Sequence, residues 1–145
     1  MASAAPRRTR ARAALLAAAA CGLLAGPAHA QERLPRAQAN YLLHCSGCHL
    51  PDGAGKPAAG IPDMRATLPR LLASAAGRAF VIQVPGTSGS DLSDAEIAEL
   101  FNWMVPAFGP GVASPGFTRQ EVARYRHDPL DDVMARRASI LPAPR

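Results

Sequence analysis

Cys45-Ser46-Gly47-Cys48-His49 is the stretch on which the reading of this chain turns. Two thiols at i and i+3, followed at once by an imidazole, match a covalent attachment site for haem c. The chemistry asks for this spacing. Each thiol adds across one vinyl group on neighbouring edges of the porphyrin, so the two sulfurs must stand one helical turn apart. The next residue then turns its imidazole to the iron as proximal ligand. Ser46 and Gly47 are small and let the backbone approach the macrocycle. Cys45 and Cys48 are thus the expected attachment residues, and His49 the expected iron ligand.

Three other readings compete for the same residues. A thioredoxin-like redox pair also uses C-x-x-C, but it sits in a βαβ unit with no histidine directly after it. Structural zinc asks for four protein ligands, and the sequence holds no second cysteine pair. A plain structural disulfide between Cys45 and Cys48 leaves the adjacent His49 without a purpose.

The chain opens as an export signal would. Arg7, Arg8, Arg10 and Arg12 form a basic start, residues 13–26 an apolar run, and Ala28-His29-Ala30 the small-x-small pattern of a cleavage site. Cleavage is expected after Ala30, with the mature chain in the periplasm. The apolar run is short for a membrane anchor, and no later stretch reaches the length of a membrane helix. Lipidation at Cys21 is disfavoured, because Ala18-Ala19-Ala20 is a weak lead-in and would cut the apolar run short.

Removing this leader changes the overall numbers. Four of the 16 basic residues go with it while all 11 acidic ones stay, so a net charge of +5 falls to +1. A nucleic-acid partner based on basicity loses its support. One of the three cysteines goes too, and the remaining two are those of the motif. Of 145 residues, the 115 left suffice for one small domain. In a chain so short, a buried porphyrin would supply apolar mass that the core otherwise lacks.

Periodicity predicts helices around the motif. The first starts near Arg36 after Pro35 and runs into Cys45, with Leu34, Tyr41, Leu42 and Cys45 sharing a face. Residues 50–60 form a Gly/Pro loop, in which Lys56 reads as a solvated charge. A short helix is expected over residues 67–76, capped by Thr67 and ended by Gly77. Residues 79–84 read as a short helical or extended segment and 85–90 as a loop. Residues 92–105 carry the clearest helix signal. Ser93 and Glu96 are spaced as a capping box, and Ile97, Leu100, Phe101 and Met104 form one stripe ended by Pro106. Thr118 and Glu121 offer a second box before residues 122–126, and residues 131–139 another short helix.

This pattern resembles a class I c-type cytochrome over residues 35–108. The resemblance rests on Cys45-Ser46-Gly47-Cys48-His49, the Gly/Pro loop after it, and the helix Leu92-Ser93-Asp94-Ala95-Glu96-Ile97-Ala98-Glu99-Leu100. It implies an all-α fold around one covalent haem, in which the first and last helices of that domain cross, with Tyr41 touching Phe101 or Trp103. It also implies electron transfer between redox partners such as a dehydrogenase, an oxidase or another cytochrome, with no substrate transformed. Pro62, in Gly60-Ile61-Pro62, matches the proline whose carbonyl holds the proximal histidine in that family. The domains expected are a leader over 1–30, a cytochrome domain over 31–109 and a helical extension over 110–145. The extension is read as a solvated packing arm rather than a docking surface or a cover for the haem.

One departure matters. The family takes its sixth iron ligand, usually methionine, from the loop before the last helix, and residues 84–92 hold no Met, His or Lys. Met64, Met104 and His127 remain as candidates, and an iron with no sixth protein ligand is the other possibility. The expectation is that a group outside 84–92 closes the site. A five-coordinate haem protein, binding a small ligand or acting on peroxide, is the rival function.

Overall fold

A computed structural model describes residues 33–141, so the expected leader and its cleavage site lie outside the described residues. The fold is all-α. Among the described residues there are eight helices, one 3₁₀ turn at Pro57–Ala59 and no strand. The described residues from Leu34 onward form one compact unit.

Helix α1 (Arg36–His44) follows Pro35, which stands at its N-cap. The helix does not run unbroken into the motif. Cys45 interrupts it with φ −122°, and α2 (Ser46–His49) restarts as a single turn. Tyr41 is fully buried, whereas Leu34, expected on the same face, is 53% exposed. The reason is position: Leu34 precedes Pro35 and lies off the helix altogether.

Helices α3 (Met64–Leu72) and α4 (Ala75–Gln83) form a hairpin. The expected start at Thr67 lies three residues too late. Asp63 caps α3 by accepting from Arg65 N at 2.9 Å. Thr67 lies inside the helix, its hydroxyl donating to the Asp63 carbonyl at 2.8 Å. Gly77 does not end a helix either; it sits in the first turn of α4, where Ser74 accepts from its N–H at 3.0 Å. A Cβ there would stand 1.9 Å from the Leu71 carbonyl oxygen, so the glycine is what lets α4 fold back onto the end of α3. Residues 79–84 prove helical as far as Gln83. The expected loop after them contains a one-turn helix, α5 (Pro85–Ser88), with proline in its first turn.

Helix α6 (Asp94–Phe108) has the predicted capping box: the Ser93 side chain accepts from Glu96 N, and the Glu96 carboxylate accepts from Ser93 N at 2.9 Å. It continues through Pro106, the expected stop. The proline costs one backbone bond near a helix end. Continuing brings Phe108 into the core, against Tyr41 at 4.9 Å and Trp103 at 5.6 Å between ring centroids. Burying an aromatic ring outweighs the lost bond. Helices α1 and α6 pack together, with Tyr41 and Trp103 5.5 Å apart, while Phe101 instead stacks on Phe117 at 4.7 Å.

Phe117 lies in the stretch read as a solvated arm, and the structure corrects that reading for its first half. Phe117 and Val122, on α7 (Arg119–Tyr125), are both core residues. Asn102 pins the entry by pairing with both backbone groups of Phe117, at 3.0 and 2.7 Å. Thr118 caps α7 by accepting from Glu121 N at 3.1 Å. The reciprocal half of the expected box is missing because Arg78 of α4 takes the Glu121 carboxylate, with bonds of 2.8 and 2.7 Å. Helix α8 (Val133–Ile140), capped by Asp132, buries no residue fully. It lies against α4 through partly buried Val133 and Ile140.

Candidate cofactor-attachment site

The Cys45–His49 motif is wound on a single carbonyl. Cys45 O accepts from Cys48 N at 3.2 Å and from His49 N at 3.0 Å, while Cys45 N donates to Tyr41 O at 2.9 Å. One residue therefore ends α1 and starts α2. Ser46 Oγ donates to Leu42 O at 2.8 Å and bridges the break. Leu50 then takes φ +63°, uncommon for a side chain of its kind, and reverses the chain. Its carbonyl is held by the Tyr41 hydroxyl at 2.5 Å, so the core aromatic is tied directly to the end of the motif. Burial, with the Cys45 and Asp52 charges next, pushes the Tyr41 phenol up to about 12. Tyr41 thus serves here as a neutral donor.

Both thiols are free. Cys45 is half-buried against the core and Cys48 is exposed. Burial, and secondarily the charge of Cys48, pushes the Cys45 thiol up to about 11. A redox thiol pair works by depressing a thiol pKa, and Cys45 moves the other way. The all-helical setting likewise gives a thioredoxin-like pair no support.

His49 is half-buried, and its Nδ1 is fully enclosed without a hydrogen-bond partner of proper geometry. Burial lowers its pKa, and the Pro62 carbonyl facing the ring opposes that shift. The imidazole is therefore neutral at pH 7, the form that ligates a metal. A buried polar atom without a partner is a cost that a native site normally relieves. With Nδ1 turned into the protein beside a carbonyl, Nε2 is the nitrogen left for a ligand.

The loop after the motif explains how Pro62 reaches His49. Gly55 N donates to His49 O at 2.9 Å, and Lys56 and Ile61 form a two-bond bridge of 2.9 and 3.2 Å. Gly55 has φ +65°, and a Cβ on it would stand 2.3 Å from the Pro62 carbonyl oxygen. Glycine is thus required by conformation and by contact alike. The Lys56 side chain is exposed, as a solvated charge would be.

The candidates for a further ligand lie in different places. Met64 and Met104 are buried in the hydrophobic core. His127 is exposed and lines a cleft with Ser93, Asp94, Arg119 and Arg126. Met134 went unconsidered in the sequence; it is 54% exposed on α8, beside the loop that carries Pro62. Residues 88–92, part of the 84–92 stretch that holds no Met, His or Lys, are gathered by Arg126 instead. Its guanidinium donates to Ser88 O at 3.1 Å, Leu92 O at 2.6 Å and Ser90 O at 2.5 Å, and to Asp94 Oδ1 at 3.1 Å. Nothing local in the sequence announces this arginine, because its acceptors lie 32 to 38 residues away.

Among the described residues no three His, Cys, Asp or Glu side chains group closely enough to hold a bare metal ion. Cys45, Cys48 and His49 suit a group that is bonded through two sulfurs and brings most of its own metal ligands, as a haem does. In comparisons with known proteins, no family model, curated protein or solved structure matches the chain.

Proposed function

We propose that this chain carries one haem, attached through Cys45 and Cys48 with His49 as iron ligand, and serves as an exported electron carrier. One observation carries the reading: free thiols at i and i+3 precede a neutral histidine whose Nδ1 is enclosed beside the Pro62 carbonyl. When bound, the haem supplies a one-electron Fe(III)/Fe(II) couple. The protein's part is to hold and tune. His49 offers Nε2, and the Pro62 carbonyl, once it accepts from Nδ1–H, would fix the tautomer and raise the basicity of the ring. Tyr41 and Phe108 close the space behind the motif, and Gly55 keeps the carbonyl at its post. No group in the chain is asked to transform a substrate. The partners would be other redox proteins of the periplasm: a dehydrogenase, an oxidase or another cytochrome.

A second reading, a five-coordinate haem protein that binds a small ligand, has one observation in its favour. Residues 88–92 are held by Arg126, while Met64 and Met104 are committed to the core. Absorption spectra of the oxidised and reduced protein, with and without carbon monoxide, separate the two. A carrier whose iron is closed by a protein group shows a ferrous spectrum that carbon monoxide changes slowly or not at all. Rapid and complete conversion would move the ligand-binding reading ahead. The absence of any haem spectrum would end both.

A further inference from the structure

Helix α8 returns to the loop that faces His49. Arg137 Nη1 donates to Gly60 O at 3.2 Å, across 77 residues of sequence. Arg137 Nη2 lies 3.1 Å from Met134 Sδ, and the Met134 methyl would be 3.9 Å from a Cβ on Gly60. One side chain thus grips the Gly60 carbonyl while a second lies over its Cα. Gly60 belongs to the turn closed by Lys56 and Ile61, and Pro62 follows directly. The Pro62 carbonyl is confined on one side by Gly55, with the His49 imidazole facing it. His49 Nδ1 is buried without a hydrogen-bond partner, so the carbonyl has not closed a bond to it. Small displacements of residues 60–62 therefore decide whether that bond forms. Helix α8 buries no residue fully, and the contacts it makes to this loop are those of Arg137 and Met134.

We propose that Arg137 is a positioning residue for His49: by holding Gly60 it sets the Pro62 carbonyl against Nδ1, so the C-terminal extension tunes the iron ligand. The inference rests on the haem reading for its consequence, though not for its geometry. A carbonyl that accepts from Nδ1–H makes the imidazole a stronger donor and favours the ferric state. Loosening the grip shifts the couple to more positive potential.

The test uses the full-length exported protein as purified: wild type, Arg137→Gln, Arg137→Lys, and Arg136→Gln as a neighbouring control. Two quantities are read in each, the nitrogen resonance of His49 Nδ1 and the midpoint potential, with thermal unfolding followed alongside. Arg137→Gln should move the Nδ1 resonance away from the hydrogen-bonded position and raise the potential. Arg137→Lys, which keeps a charged donor, should recover part of both shifts, and Arg136→Gln should cause neither. Unchanged Nδ1 and potential in Arg137→Gln, or equal changes in Arg136→Gln, would overturn the proposal. A wild-type chain without haem would sink the functional reading alone, because the Nδ1 resonance still decides whether Arg137 acts on His49.

Discussion

Gly55 shows how much of the candidate site hangs on one missing Cβ. Gly55→Ala would place a carbon 2.3 Å from the Pro62 oxygen at a backbone angle of +65°. Strain of this kind costs about 1–3 kcal/mol. The melting temperature should fall accordingly, and the Nδ1 resonance of His49 should move, because Pro62 must back away from the ring. Loss of stability with an unmoved resonance would show that Gly55 serves the turn and not the imidazole. At this scale the sequence was only partly legible. The expectation for Cys45, Cys48 and His49 is read from their spacing, since the chemistry it points to is local. Pro62 came only through the family resemblance, and Arg137, 88 positions beyond His49 in the chain, carries no local signal at all.

Helix ends account for most differences between the predicted and observed elements. Asp63, rather than Thr67, caps α3, and its carboxylate also holds Arg65 through its side chain. That bond to Arg65 keeps the Asp63 carboxyl below its usual range, and the Ser93 side chain does the same for Glu96 at the start of α6. Both folded pKa values are depressed. Their stabilisation is therefore present above the unfolded values, near 3.8 and 4.5, and is lost as pH falls through the lower folded ones. An acid titration followed by circular dichroism should show helix loss below about pH 4. Asp63→Asn and Glu96→Gln together should flatten it. A second element-scale test concerns Arg126, whose side chain is 12% exposed and satisfies three carbonyls and Asp94. Arg126→Ala takes the donor from those acceptors, of which only Leu92 belongs to a buried residue, and should cost about 1–3 kcal/mol. Amide exchange should quicken first at residues 88–94. A uniform change across the chain would mean that Arg126 does not organise that segment. The passage of α6 through Pro106 escaped prediction for one reason. Local breakers were read without the gain from seating Phe108 beside Tyr41.

At the largest scale, the described residues form an all-α unit in which residues 110–126 are built into the core through Phe117 and Val122 and fastened by Arg78 and Arg126. Amphipathic stripes and the Ser93 box made the helical class legible, because those signals repeat within one or two turns. Attachment of the extension was not legible. It depends on Arg78 meeting Glu121 across 43 residues and on Asn102 meeting Phe117 across 15. The central claim is that this architecture carries one covalent haem on Cys45 and Cys48. It is tested most directly by intact-mass measurement of the purified protein after acid–acetone treatment, with Cys48→Ala alongside. The account predicts that the colour stays with the polypeptide and that the mass exceeds the chain by one haem. In Cys48→Ala attachment should be weakened or lost. Colour that leaves with the acetone, or a chain whose only change is a Cys45–Cys48 disulfide, would contradict it.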